Sequence, residues 1–293
     1  MKARIQVLLL GALLATAARS EDVDKTLDAA PDGQVDISNT AGSIEVEGWS
    51  KNSVQVRGEL GSNVEELIFE RDKDVVTVKV KVPRNSSRGI SSDIHVKVPQ
   101  KSSIEVTGVS ADITVQGVHG AQNLHSVSGD VSTEAFGGDV EIGSVSGDVS
   151  IDGNDKDIDV NANTVSGDVM LKDLAGEVKA EAVSGDLTLN GGSFDRAELQ
   201  TVNGDLIFKA ELRKGGRLSG ESVNGDVTLE FASKVSAKFD VESFNGDIDN
   251  CFGPEAQRTS KYAPGLELRF TEGDGAGTVS VSTLNGDIDI CNK

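Results

Sequence analysis

Aromatic residues make up 4% of this 293-residue chain, with one Trp, one Tyr and nine Phe. Sugar clefts and protein hot spots lean on aromatic platforms, so the scarcity argues against a ring-lined carbohydrate groove. Histidine is nearly as rare: His95, His119 and His125 are the only three, and no two stand as a metal pair at helical spacing. The two cysteines, Cys251 and Cys291, are not spaced as zinc ligands. Lys and Arg number 28 against 48 Asp and Glu, a formal charge of -20. Such a surface repels nucleic acid and anionic lipid, favours cations or basic partners, and keeps a long β surface from sticking to itself. Helical spacing and convincing helix caps are missing as well, and beyond residue 20 no apolar run is long enough for a membrane helix.

Residues 1–20 read as a secretory signal peptide. Lys2 and Arg4 give the positive start, residues 5–14 an apolar stretch too short to span a bilayer, and Ala15, Ala17, Ala18 and Ser20 the small residues of a cleavage site. No cysteine near that site could take a lipid anchor. The expected mature chain is exported, to the periplasm or the cell surface, with no membrane span.

What the chain has in abundance is one tetrad, V-S-G-D or V-N-G-D, at residues 127–130, 145–148, 165–168, 183–186, 202–205 and 223–226. Relatives with Phe or Leu in first place follow at 244–247 and 284–287, and a degraded V-S-A-D precedes at 109–112. From Asp112 the acids fall 18, 18, 20, 18, 19, 21, 21 and then 40 residues apart. A period near 20 marks one small unit stacked on copies of itself. Alternating segments flank each tetrad, such as Val149-Ser150-Ile151 after one and Ile158-Asp159-Val160 before the next. Each unit thus carries two short strands of period 2, and stacking them in parallel pairs each strand with its counterpart one coil away. The predicted fold is all-β: a parallel β-solenoid with two strands per coil.

The tetrad positions then stack into ladders at roughly 4.7–4.9 Å. The first residue, Val, Phe or Leu, is expected to fill an interior column. The glycines, Gly129, Gly147, Gly167, Gly185, Gly204, Gly225, Gly246 and Gly286, supply the positive φ of a tight corner. Before them runs a polar turn ladder of Ser128, Ser146, Ser166 and Ser184, then Asn203, Asn224, Asn245 and Asn285, the Asn amides satisfying one another. The acids Asp130, Asp148, Asp168, Asp186, Asp205, Asp226, Asp247 and Asp287 should point outward. Like charges at one-coil spacing repel unless turn amides, solvent or cations offset them. These eight are therefore the candidate calcium ligands, although they lack the extra glycines and flanking ligands of repeat calcium sites. No metal or cofactor is favoured.

Residues 21–108 keep the alternation without the period and read as an irregular β region opening the solenoid, with regular coils over 109–293. Ala41-Gly42-Ser43-Ile44 already resembles a decayed turn. Residues 252–277 hold Pro254, Pro264 and several glycines but no tetrad, and read as an excursion within one coil, folded over the end of the stack. Cys251 follows Asp247 by four residues and Cys291 follows Asp287 by four. With that register the two cysteines share one site on adjacent coils, within disulfide reach, and export makes the bond expected.

The tetrad series, the closing F-T-E-G-D-G-A-G-T-V-S-V-S-T-L-N-G-D-I of residues 270–288 and the H-V-K-V-P strand of residues 95–99 resemble a bacterial family of exported "putative adhesins", a domain of unknown function. The likeness spans roughly residues 35–290. It implies a β-solenoid in the cell envelope and no settled activity, so it transfers no catalytic residue.

The chemistry at hand fits a non-enzymatic scaffold binding an envelope or surface partner through a repetitive acidic surface. The alternative is a polysaccharide-processing enzyme on the same scaffold, with His125 near serines and aspartates. Against it, an active site departs locally from a pattern, and here the acid is the pattern. Trp49 reads as capping packing or a binding anchor, and the loop with Arg258 and Tyr262 as a weak contact candidate. Unpaired strands at the solenoid ends would permit end-to-end association.

Overall fold

Period-2 alternation decides which side of each strand is buried. In the strand Asp157–Ser166, Ile158, Val160, Ala162 and Thr164 face inward, while Asp159, Asn161, Asn163 and Val165 face out. The same beat runs through neighbouring strands, so the inward residues superimpose into columns of Val, Ile, Leu and Ala that form one continuous core. The computed structural model describes residues 21–85, 88–154, 156–260 and 264–292. The signal-peptide reading of residues 1–20 and the candidate Tyr262 fall outside these. Among the described residues, no helix is long and apolar enough to cross a membrane.

The architecture is all-β and largely parallel. Strands preceding the tetrads build one face: Gln122–Ser128 pairs Val140–Ser146, which pairs Asp157–Ser166, which pairs Ala175–Ser184. Strands following the tetrads build the other: Val131–Glu134, Val149–Asp152 and Val169–Lys172 in parallel order. Every tetrad is the corner where the chain passes from the first face to the second. Pairing is in register across the corner, Ser146 opposite both Ser128 and Ser166, so the ladders are continuous.

The stack begins earlier than the period in the sequence suggests. The strand Gln34–Trp49 pairs in parallel with Ser103–Gln116, setting Ala41, Gly42 and Ser43 against Ser110, Ala111 and Asp112. The boundary expected at residue 108 therefore falls inside a continuous strand. Ala111 stands where later rows have glycine, and there the strand runs through the tetrad position unbroken. Antiparallel strands cover the first row: Glu66–Asp72 on Val75–Lys81, and Ser53–Leu60 on Ser92–Pro99.

The other end departs from chain order. The strand Gly277–Asn285 pairs with Leu206–Asn224 on one side and Ala237–Asn245 on the other. Ile288–Asn292 lies likewise between Val227–Phe231 and Ile248–Asn250. The chain thus skips one row, builds the terminal row, and returns with its last residues to fill the gap. The last tetrad in the sequence therefore lies inside the stack, and the tetrad at 244–247 ends it. The excursion makes this possible, because Leu266–Thr271 runs back antiparallel along Ala237–Asn245 and covers its outer edge. Cys251 and Cys291 form a disulfide between these two rows, with Cα atoms 5.0 Å apart. Six of the nine phenylalanines gather here, Phe194, Phe208, Phe231, Phe239, Phe252 and Phe270 making successive ring contacts, with Phe239 and Phe270 stacked at 4.4 Å.

Candidate functional site

Each tetrad corner is built from four distinct chemical tasks. Gly129, Gly147, Gly167, Gly185, Gly204, Gly225 and Gly286 adopt φ between 141° and 156°, a region L side chains rarely enter. A Cβ on Gly185 would also collide with the carbonyl oxygen of Gly167 one row away, and the same holds for Gly246 on Gly286. The corner is tight in both backbone conformation and packing distance.

The aspartates satisfy a donor that the corner frees. Gly147 N–H donates to the Ser166 carbonyl, and Val149 N–H to the Asp168 carbonyl. The intervening Asp148 N–H instead donates to the carboxylate of Asp130 at 2.9 Å. The bond repeats with the N–H of Asp130 on Asp112, of Asp168 on Asp148, of Asp186 on Asp168, of Asp205 on Asp186 and of Asp226 on Asp205, at 2.8–3.0 Å. It ends with Asp287 on Asp226 and Asp247 on Asp287, both at 2.8 Å. A charge-assisted bond to each successive amide offsets the repulsion along the column. Among the described residues no group of three or more His, Cys, Asp and Glu is placed to share a metal ion.

Asparagines stack in the same spatial order. Asn224 donates to Asn203 at 2.9 Å, Asn285 to Asn224 at 2.8 Å and Asn245 to Asn285 at 2.9 Å. Ser128, Ser146, Ser166 and Ser184 occupy the equivalent positions in register, exposed.

The first tetrad residue is where the structure overturns the sequence reading. Val109, Val127, Val145, Val165, Val183, Val202, Val223, Phe244 and Leu284 are all 38–49% exposed. The inward position belongs to the residue before: Ser126, Ser144, Thr164, Ala182, Thr201, Ser222, Ser243 and Thr283 are buried. Parity and space together explain this. One residue separates Ile158, Val160, Ala162 and Thr164 in turn, so Val165 must face out with Asp159 and Asn163. The buried side chains at the corner are all small, Ser, Thr or Ala, and several of their hydroxyls donate to corner carbonyls, Thr201 to Gly185 and Thr283 to Gly225, each at 3.2 Å.

The exposed apolar residues form one unbroken ridge, because their rows are adjacent in space. Beside the ridge lies a groove of about 620 Å³ floored by small residues such as Gly143, Ser144 and Ala182. It continues past Val223 into a hollow of about 380 Å³ that reaches Leu284 and Phe244 and ends against Thr259 and Leu266 of the excursion. The groove's next outward column, in register, runs through Thr107, His125, Gly143, Asn163, Glu181, Gln200, Glu221, Ser282 and Glu242, with no Lys or Arg. The sequence reading missed this ridge, although counting parity back from the tetrad marks it.

The remaining candidates are dispersed. His95 approaches Glu47 at 3.1 Å on the first rows; the stronger hydrogen bond from Lys97 to Glu47, at 2.7 Å, holds that carboxyl below its usual range. His119 packs against Phe136. His125 stands in the groove column, and no hydrogen bond joins it to a serine or an aspartate among the described residues. Trp49 is half-buried, donates its Nε1–H to the Ser53 carbonyl at 2.7 Å and carries Lys51 over its ring. Arg258 lies exposed in the excursion.

Three solved structures match the chain at low identity and low TM-score. A "putative adhesin" from Bacteroides fragilis NCTC 9343 is 11% identical, with TM-score 0.45 over 92% of this chain and 97% of that one. One from Parabacteroides distasonis ATCC 8503 is also 11% identical, with TM-score 0.41 over 93% and 98%. A "putative cell adhesion protein" from Clostridium sporogenes ATCC 15579 is 10% identical, with TM-score 0.29 over 93% and 100%. No curated protein matches. At these values the likenesses assign no residue a role. The sequence itself decides the family, matching it twice, over residues 31–175 and 175–291: the chain belongs to the Toastrack DUF4097 family.

Proposed function

We propose that this protein is an exported, non-enzymatic β-solenoid of the cell envelope that holds a partner along its apolar ridge. The observation that carries the reading is the ridge: nine apolar side chains in adjacent rows, each 38–49% exposed, in a protein that buries its other apolar columns. Single exposed apolar residues need no explanation, but a contiguous stripe beside a groove marks an interaction surface. Among the described residues the only other large apolar side chain so exposed is Met170, alone on the opposite face. Repetition favours binding over catalysis, since every row offers the same groups. The disulfide supports an oxidising compartment, the periplasm or the cell surface.

The test is attachment of the purified protein to isolated bacterial envelopes. Replacing Val145, Val165 and Val183 together by Ser should leave the β circular dichroism and the melting temperature nearly unchanged, because all three are exposed. It should remove most of the attachment. Full attachment by a folded triple variant would sink the proposal.

A further inference from the structure

The ridge and the aspartate column run side by side, three residues apart around each corner, over the same rows. Their charges are treated differently from those elsewhere on the molecule. Off the corners, several carboxylates acquire basic partners: Asp24 with Arg57, Asp157 and Asp195 with Arg213, Asp240 with Arg269. Among the described residues, no Lys or Arg lies within ion-pair distance of any tetrad aspartate from Asp112 to Asp287. Each of these carboxylates receives a backbone amide, which lessens the repulsion between rows and leaves the net charge of the column in place. On its other side the ridge meets a column in which Lys179 pairs with Glu181 and Arg269 with Glu242, leaving Glu221 as its one carboxylate without an ion pair among the described residues. The result is a long apolar stripe edged along its aspartate side by uncompensated negative charge.

Resting on the reading of the ridge as the binding face, the geometry points to one class of partner: an amphipathic polypeptide segment, apolar on the edge that meets the ridge and rich in Lys or Arg beside it. Apolar contact alone would fit a bilayer or a second copy equally well. Charge decides against both. A chain of net charge -20 is repelled by anionic lipid, and two copies meeting at their ridges bring two unneutralised aspartate columns together. A basic amphipathic segment gains the apolar burial and supplies the missing counter-charge. The period of the site also suits a polypeptide, because every row repeats the same apolar and anionic pair at its own level. A segment can therefore add contacts row after row along the groove until the excursion at Thr259 and Leu266 stops it.

The experiment uses the full mature chain and three synthetic extended peptides of equal length, alternating Leu with Lys, Leu with Glu, and Ser with Lys, followed by fluorescence anisotropy. The Leu/Lys peptide should bind, and the other two should bind at least about tenfold more weakly, since each lacks one of the two complementary features. The triple variant V145S/V165S/V183S should lose about tenfold or more of the Leu/Lys affinity. The triple variant D148N/D168N/D186N keeps an amide oxygen to accept each backbone N–H, so it should fold. It should bind the peptide more weakly and with a flatter salt dependence. Equal binding of Leu/Lys and Leu/Glu peptides would overturn the charge argument. So would an affinity untouched in both variants, a ridge-dependent dimer in sedimentation, or ridge-dependent binding to phospholipid vesicles. Loss of envelope attachment in the valine variant together with indifference to peptide charge would leave the binding face standing and remove this partner class.

Discussion

At the scale of single residues, the corner tetrad is explained by what each atom would meet if changed. Gly185 has φ 147° and faces the Gly167 carbonyl. Gly185→Ala therefore forces both a disfavoured backbone and a steric shift, and should cost on the order of 2–4 kcal/mol, read as a lower urea midpoint. Asp168 is a subtler case. Its carboxylate receives the Asp186 N–H at 2.8 Å, so Asp168→Ala strands a donor at a solvent-exposed corner and should cost about 1 kcal/mol. Asp168→Asn retains an acceptor oxygen in the same place and should be close to neutral. Equal losses for the two would mean that the charge, and not the bond, holds the corner. Parity makes the third comparison. Leu187 is fully buried and Thr188 beside it half-exposed. Leu187→Asp buries a charge with no partner and should unfold the neighbouring rows, whereas Thr188→Asp should leave the fold intact by circular dichroism.

Among the elements, the C-terminal strands matter most, because they lie inside the stack and not at its end. Gly277–Asn285 and Ile288–Asn292 complete rows on both sides, while the terminal row outside them offers only the three-residue strand Ile248–Asn250 on the second face. The Cys251–Cys291 bond ties that short strand to its neighbour across a sequence separation of 40. By the chain-entropy estimate it contributes about 3–4 kcal/mol. A variant with Ser at both positions should melt earlier and exchange amide protons fastest in residues 248–250, with protection in the central rows unchanged. Charge adds a pH dependence at the same end. Burial, then the neighbouring carboxylates of Asp249, Asp287 and Asp226, raise the Asp289 carboxyl above its ordinary 3.8. A carboxyl that holds its proton more tightly when folded lowers stability above the unfolded value and ceases to do so once protonated. Asp289→Asn should therefore be more stable than the parent at pH 7, and the gain should vanish as the pH falls below the ordinary carboxylate range. An advantage that persists in acid would trace to packing and not to charge.

At the scale of the whole molecule, the fold and its apolar ridge are legible in the sequence to different degrees. The tetrad spacing and the alternation around it led to stacked parallel strands, because a repeated two-strand unit with one apolar side has no other way to bury it. The register of the cysteines followed from counting four residues past each of two aspartates, and the disulfide joins them. At the first tetrad position residue type and parity disagree, and parity decides. Val165 looks like a core residue, yet it shares its phase with Asp159 and Asn163. The N-terminal rows were underestimated for a related reason: Gln34–Trp49 keeps the pairing of later rows without their tetrad, and pairing depends on backbone and not on motif.

By itself the sequence determined the unit, its period, the need for glycine at the corner and the acidity of the surface, since each is set by local backbone sterics, alternation or charge count. Tertiary structure alone decided the order of the last three rows and the unity of the ridge. Each tetrad offers the same amide and the same carboxylate to whichever neighbour arrives. Asp287 therefore fits above Asp226 as well as Asp247 would, and only the excursion folding back along Ala237–Asn245 selects between them. The apolar residues scattered from Val109 to Leu284 become one surface solely because the stacking makes them neighbours.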